Sequence, residues 1–308
     1  MSASTRSIVW IASYPKSGNT WIRILLGNYL GRTIDGRTGV PAEGSGSADR
    51  AKFDDVTGLA SSDLTAEETD LLRPDFYRHL ARDEAAKPWF VKVHDAFQLN
   101  RAGEPLFPAE SSLGALVVVR HPFDVAVSYQ HHLAGERIEA VVRRICDPMD
   151  TMGGKGRPQI RQLTKGWSGH YLSWVRQGVI PALVVRYEDM LADTSRELAR
   201  ILAFAGLPLD HDRITESVAQ SRFERLQAIE ARYGFHETPA LASCFFRSGR
   251  MGEGVESLPP DLRRRIVDTH GSVMAELGYS ALGVEFHLAT PAVSLGCPAF
   301  SVPRILPP

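Results

Sequence analysis

Cysteine is scarce in this chain: Cys146, Cys244 and Cys297 are the only three, far apart and without a CxxC pair. A dispersed, odd-numbered set builds neither a disulfide framework nor a zinc site, and reads as small buried hydrophobes in a reducing compartment. Long apolar runs are also missing, and nothing approaches the roughly 18 residues that a membrane span needs. The apolar stretch after Arg6 is short and ends in a polar turn, so it is not read as a signal peptide. The expected location is cytoplasmic. Excess charge of one sign is absent too: the formal net charge is −1 over 308 residues. Bulk electrostatics therefore point to neither nucleic acid nor an acidic membrane as partner, and any anion must be held by a local cluster. No internal repeat and no linker stand out.

What is present is concentrated first in residues 7–30, SIVWIASYPKSGNTWIRILLGNYL. An apolar strand over residues 8–12 enters a tight polar turn, and an apolar-periodic helix follows from about Thr20. The turn holds Pro15, Lys16, Ser17, Gly18, Asn19 and Thr20. It aims backbone N–H groups and the positive end of the helix dipole at one point, where Lys16 adds a full charge. That is an anion loop of the phosphate-binding kind. An ordinary strand-turn-helix connection with a solvated lysine is the other reading of these residues alone.

Residues 31–63 are rich in Gly, Ser, Asp and Thr and show no period until about Ser62, where a helix is expected to begin near Asp63. Residues 88–96, PWFVKVHDA, read as a short apolar strand with Lys92 and His94 two apart, on one face or at the strand's end. Residues 113–119 form a buried strand that stops at Arg120, His121 and Pro122, with a helix from about Asp124 in its first turn. Two strand-turn-helix units with cationic turns make a ligand crevice at the carboxyl ends of parallel strands. After a Gly/Lys/Arg-rich loop at 147–166 come a helix bearing Trp167, His170, Tyr171 and Trp174 and a third buried strand at 182–187. Helices are expected over 195–205, 208–219, 221–230 and 261–277, with irregular chain at 238–246 and a Gly/Arg-rich segment at 245–254. From Leu282 the prolines Pro291, Pro298, Pro303, Pro307 and Pro308 predict an extended or disordered tail. The expected organisation is one α/β domain over 1–281, a mainly parallel sheet with helices on both faces, and a tail over 282–308.

The turn at 15–20 is not built for a magnesium triphosphate. Lys16 precedes Gly18, no glycine stands upstream of it in the turn, and the strand at 113–119 ends in Arg120 rather than in an Asp. A phosphate or sulfate neutralised by Lys, Arg and backbone N–H, with no metal, fits better. The alternatives are a metal-dependent, P-loop-like phosphoryl transferase (a small-molecule or nucleotide kinase) and a nucleotide-binding scaffold without catalysis.

Five blocks, in order, then resemble one family. SYPKSGNTW (13–21), FVKVHDAF (90–97), VVVRHPFDVAVSYQHHL (117–133), VVRYEDML (184–191) and FFRSGRMGEG (245–254) are similar to segments of the cytosolic-type sulfotransferases, whose donor is 3′-phosphoadenosine 5′-phosphosulfate (PAPS). The resemblance runs from about Ile8 to Tyr279. It implies a P-loop-like central sheet and sulfuryl transfer to a hydroxyl or amine of a small acceptor. By matching position, it implies that Lys16 binds the bridging oxygen between phosphate and sulfuryl group. Ser17, Gly18, Asn19 and Thr20 would then bind the 5′-phosphate, Trp21 would stack on adenine opposite Phe223, and Tyr187 would line the nucleotide pocket. Arg120 and Ser128, with Arg247, Ser248 and Gly249, fall to the 3′-phosphate. His94 becomes the general base, and Lys92 the neutraliser of charge on the transferred oxygens. His121, His131, His132 and His170 match no such role and read as surface or local hydrogen-bonding residues; adjacent His131 and His132 diverge on a helix and make no metal pair.

The departures carry expectations of their own. Ser248 stands where the family has a Lys, so either Arg250 substitutes for it or 3′-phosphate affinity is lower. Residues 257–263, SLPPDLR, lack the family's dimerisation pattern, which leaves the oligomeric state open. Asp95 replaces an apolar residue and is expected to make the acceptor pocket more polar. The acceptor pocket is assigned to the loops at 31–63, 147–166 and 232–242. Their aromatics Phe53, Tyr233 and Phe235 point either to a planar or apolar acceptor or to plain packing.

Overall fold

Strand β1 (Ile8–Ser13) is buried along its whole length. Its side chains alternate: Ile8, Trp10 and Ala12 enter one hydrophobic core, and Val9 and Ile11 another. That is the pattern of a parallel strand covered on both faces. The computed structural model describes residues 7–31, 46–83, 88–239, 241–280 and 283–284.

After β1 the chain forms α1 (Asn19–Tyr29), α2 (Arg50–Thr57), α3 (Ala66–Asp83), β2 (Trp89–Val93), β3 (Ser112–Val119), α4 (Pro122–His132) and α5 (Ile138–Cys146). The short strands β4 (Thr151–Met152) and β5 (Gln162–Leu163) precede α6 (Gly166–Val175), β6 (Ala182–Arg186), α7 (Tyr187–Ala192), α8 (Thr194–Phe204), α9 (His211–Gln220) and α10 (Phe223–Tyr233). Last come α11 (Glu253–Ser257), α12 (Pro260–Glu276) and a hairpin of β7 (Tyr279–Ser280) with β8 (Gly283–Val284). The hairpin straddles residue 282, where the tail is expected to begin; the rest of that tail lies outside the described residues.

The central sheet has the order β2-β1-β3-β6, and every neighbouring pair is parallel. Tyr77 of α3, Val142 of α5, Trp174 of α6 and Ile266 of α12 pack on one face, and Leu25 of α1, Ile201 of α8 and Ile214 of α9 on the other. This is the expected α/β layering. The chain leaves β1 for β2 on one side and returns to β3 on the other. The loops after β1 and β3 therefore open side by side at a switch point, the usual ligand crevice of such sheets.

Three local features differ from expectation. Helix α2 stands inside the stretch read as a loop, capped by Asp49, whose carboxylate accepts from the Lys52 N–H at 3.2 Å. It buries only Phe53, against Phe76, so no apolar period marks it. Helix α3 starts later than Asp63, where Thr65 and Glu68 exchange side-chain and backbone hydrogen bonds. Helix α4 is capped by His121, whose Nδ1 accepts from the Phe123 N–H at 3.2 Å. Its Nε2–H donates to the Ser280 carbonyl at 3.1 Å. Asp124 instead accepts from the N–H groups of Gly252 and Gly254, at 2.8 and 2.7 Å, and staples that segment to α4.

Asp95 does not face the acceptor side. Its carboxylate accepts from both terminal nitrogens of Arg73, at 2.9 and 2.7 Å, and both side chains are fully buried. The strand end turns it inward, where Arg73 also meets the Tyr77 hydroxyl, and Trp174 Nε1 donates to the Asp95 carbonyl. Burial pushes the Asp95 carboxyl pKa up and Arg73 pulls it back only in part. A pair of this kind is worth little as a pair but costs a great deal when broken. Replacement Arg73→Met should lower stability by about 3–5 kcal/mol, and Arg73→Met with Asp95→Asn should recover part of it. Urea midpoints of the two variants check this: equal midpoints would mean the charge on Asp95 is not what the first variant strands.

Candidate active site

Helix α1 begins on Gly18, which supplies no side-chain cap. Its first N–H groups therefore need an acceptor from elsewhere. The loop that feeds it is bent by two positive backbone angles, Lys16 at φ 68° and Gly18 at φ 112°. Gly18 could not be larger: a Cβ there would sit 2.8 Å from the Tyr187 ring. Beneath the loop, Asn19 donates to Ser13 Oγ at 3.0 Å, while the buried Ser17 hydroxyl has no partner. A buried, unpaired donor at an uncapped helix start is what an anion would satisfy.

Arg120 leaves the end of β3 and lies over the Tyr187 ring at 4.4 Å. It donates to the carbonyls of Lys16, at 3.5 Å, and Arg250, at 2.9 Å, bridging the two loops, and its Nε is buried without a partner. Arg247 forms a two-toothed ion pair with Glu253, to which Ser248 Oγ also donates at 3.1 Å. Arg250 is exposed and lines nothing here. Gly249, at φ 61°, packs so closely that a Cβ would meet Phe223 at 2.5 Å.

These residues surround one cavity of about 380 Å³. Lys16, Gly18, Asn19, Thr20 and Trp21 line it from α1 and its loop, and Lys92 and His94 from the end of β2. Arg120, Ser128, Tyr187, Phe223, Arg247, Ser248 and Gly249 complete it, with Ser17 just behind the wall. The Trp21 indole N–H donates to the Ser221 carbonyl at 3.0 Å and meets Tyr187 edge-on. Buried donors without acceptors and glycines pressed against aromatic rings fit a nucleotide with anionic ends.

His94 Nδ1 lies 2.7 Å from the Ser13 carbonyl. A carbonyl only accepts, so Nδ1 carries the proton and Nε2 keeps the free lone pair. Burial, then Lys92, lowers the imidazole pKa to about 3, so it is neutral at any ordinary pH. Desolvation, then Arg120, lowers Lys16 to about 8. Lys92 is lowered by burial, against the pull of Glu237.

Three polar residues of this cavity were not named from the sequence: His132, and Gln159 and Glu237, which lie in the loops at 147–166 and 232–242 assigned to the acceptor pocket. His132 is not a surface residue: it lines the cavity, with Nδ1 3.5 Å from Lys16 Nζ. Its position four residues after Ser128, on the same face of α4, was the available signal. Of the other histidines, His121 and His170 are buried and His131 is exposed. Glu237 comes from irregular chain after α10 and contacts Thr20 and Arg23, a placement without any periodic signal. The loop aromatics are not pocket residues: Phe53 packs on Phe76, Phe235 packs on Phe245 and Phe246, and Tyr233 is exposed. Phe245, Phe246, Tyr129 and Met152 give the cavity its apolar wall instead.

The chain matches the sulfotransferase domain family over residues 6–278. Cytosolic sulfotransferase 14 of Arabidopsis thaliana is 22% identical over 298 residues, covering 91% of this chain and 77% of its own. Sulfotransferase 1B1 of Mus musculus is 21% identical over 267 residues, covering 81% and 77%. The structure of retinol dehydratase in complex with androsterone and inactive cofactor PAP superimposes with a TM-score of 0.59 at 20% identity, over 88% of this chain and 81% of that one. Mouse sulfotransferase SULT7A1 complexed with PAP gives 0.54 at 19% identity, over 87% and 84%. At such identities the solved structures speak for the fold. The chain belongs to the sulfotransferase domain family. Its class is that of the PAPS-dependent sulfotransferases, as the five blocks implied. Among the described residues no helix is long and apolar enough to cross a membrane, and no group of three or more His, Cys, Asp or Glu is placed to hold a metal ion.

Lys16 sets a pH dependence whose sign is fixed by its depressed pKa. Below about 8 the free protein carries the Lys16 ammonium at the cavity wall; above it that charge is lost. The kcat/KM for the donor, which reports the free enzyme, should therefore fall above about pH 8. The same fall in a Lys16→Arg variant that retains activity would assign it to another group.

Proposed function

We propose that the protein transfers the sulfuryl group of PAPS to a hydroxyl or amine of a small apolar or aromatic acceptor, with His94 as general base. The observation that carries the reading is the 2.7 Å contact from His94 Nδ1 to the Ser13 carbonyl. It leaves Nε2 unprotonated in a cavity also lined by Lys16 and Lys92. PAPS, when bound, supplies an electrophilic sulfuryl group with adenosine 3′,5′-bisphosphate (PAP) as its leaving group.

The chain's own groups divide the work. His94 Nε2 takes the acceptor's proton as its oxygen or nitrogen becomes nucleophilic. Lys92, two residues away, offsets negative charge on the transferring oxygens, and Lys16 offsets it on the departing phosphate. Ser17, Gly18, Asn19 and Thr20 would hold the 5′-phosphate, and Arg120, Ser128, Arg247, Ser248 and Gly249 the 3′-phosphate. Trp21, Tyr187 and Phe223 give the adenine an aromatic enclosure. The apolar wall of Tyr129, Met152, Phe245 and Phe246 favours an apolar alcohol or phenol, the chemistry shared by the androsterone of the dehydratase complex. A cytoplasmic setting belongs to the same reading and is supported by the cytosolic relatives.

The variant His94→Ala should lose roughly 10²–10⁴-fold in turnover while PAP affinity stays nearly unchanged. Sulfate transfer followed by mass spectrometry, with calorimetric PAP titration, reads both. Turnover that survives the substitution would remove His94 from the base role, and activity abolished by excess chelator would favour the phosphoryl-transfer alternative.

A further inference from the structure

Glu237 is a negative charge inside a cavity otherwise furnished with cations. Its Oε2 accepts from Thr20 Oγ1 at 3.1 Å; its Oε1 is ion-paired with Arg23 and lies 4.0 Å from Lys92 Nζ. Burial alone would raise its carboxyl pKa, yet Lys92 and Arg23 bring it down to about 2, so it is ionised throughout the working range. The groups it engages are those the proposed reaction needs. Thr20, in the first turn of α1, is assigned to the donor's 5′-phosphate, and Lys92 to the transferring oxygens.

A threonine hydroxyl has one proton to donate. Thr20 gives it to Glu237 or to a phosphate, not to both. A carboxylate and a phosphosulfate held against the same Thr20 and Lys92 also repel each other at close range in a partly desolvated site. The chain around Glu237 is held independently of it. Glu230 of α10 accepts from Thr238 Oγ1 at 2.9 Å and from the N–H groups of Phe245 and Phe246, at 2.6 and 2.9 Å. Removing the charge at 237 therefore leaves those ties in place.

We infer that Glu237 is an internal competitor of the donor: its carboxylate occupies Thr20 and Lys92 in the donor-free protein and must withdraw when the phosphosulfate binds, so this residue sets donor affinity. The inference rests on the donor reading above. It separates Glu237 from a residue that merely braces the cavity, because a brace, when removed, weakens binding.

Calorimetric titration of the full chain with PAP is the test. Glu237→Gln is expected to bind PAP about tenfold more tightly than the wild-type protein, since one like-charge contact is removed. Its ligand-free melting temperature is expected to fall as the pairing with Arg23 is lost. If Glu237→Gln does not fold, Glu237→Asp, which withdraws the charge by one methylene, should shift affinity in the same direction. Wild-type protein that fails to bind PAP would overturn the donor reading and the inference together. Wild-type protein that binds PAP, with variants that bind it equally or more weakly, would overturn the inference alone.

Discussion

The uncapped start of α1 is the constraint from which the site follows. Gly18 is the residue that fits under the Tyr187 ring with a left-handed backbone angle, and for the same reason it brings no side-chain oxygen to the helix's first N–H groups. A helix terminus left in that condition attracts an anion. The fold then collects positive side chains from separate elements around it: Lys16 from the loop itself, Lys92 from the end of β2 and Arg120 from the end of β3. They converge because parallel strands present their carboxyl ends together.

The near-zero net charge of the chain conceals this arrangement, because the cations at the cavity are locally matched. Arg247 is held by Glu253 and Arg120 by two backbone carbonyls. Each arrangement fixes a long side chain in one pose, which reduces the ordering cost a ligand would otherwise meet. The histidines follow a related logic. His94 and His121 each have one ring nitrogen committed to a backbone carbonyl, so their tautomers are set by the main chain rather than by pH.

The sheet was legible in the sequence because β1 and β3 are continuous apolar runs bounded by turn residues, the signature of parallel strands buried on both faces, whereas β6, read as a third buried strand, is a half-buried edge strand. Most cavity residues were legible because they lie in short blocks at the ends of those strands. What was not legible has no period. Helix α2 buries a single side chain, Glu237 sits in irregular chain far from its partners in sequence, and the inward turn of Asp95 depends on an arginine in helix α3. The role of Asp124 was hidden similarly, since its donors lie across the chain at Gly252 and Gly254 rather than in its own helix.

The central place of β1 has a kinetic meaning. Strand β1 is synthesised before its partners, residues 89–93 on one side and 112–119 on the other, and among the described residues local chain supplies it with no strand to pair with. Until those later segments arrive, five apolar positions, Ile8 to Ala12, wait without a sheet, a situation that slows folding and invites association between nascent chains. The turn at Lys16 then has its own Ser17 N–H to Tyr14 carbonyl hydrogen bond, at 3.2 Å, but not the Tyr187 ring that packs on Gly18. The anion loop, made before the strands and the ring that flank it, is therefore complete only after they are in place.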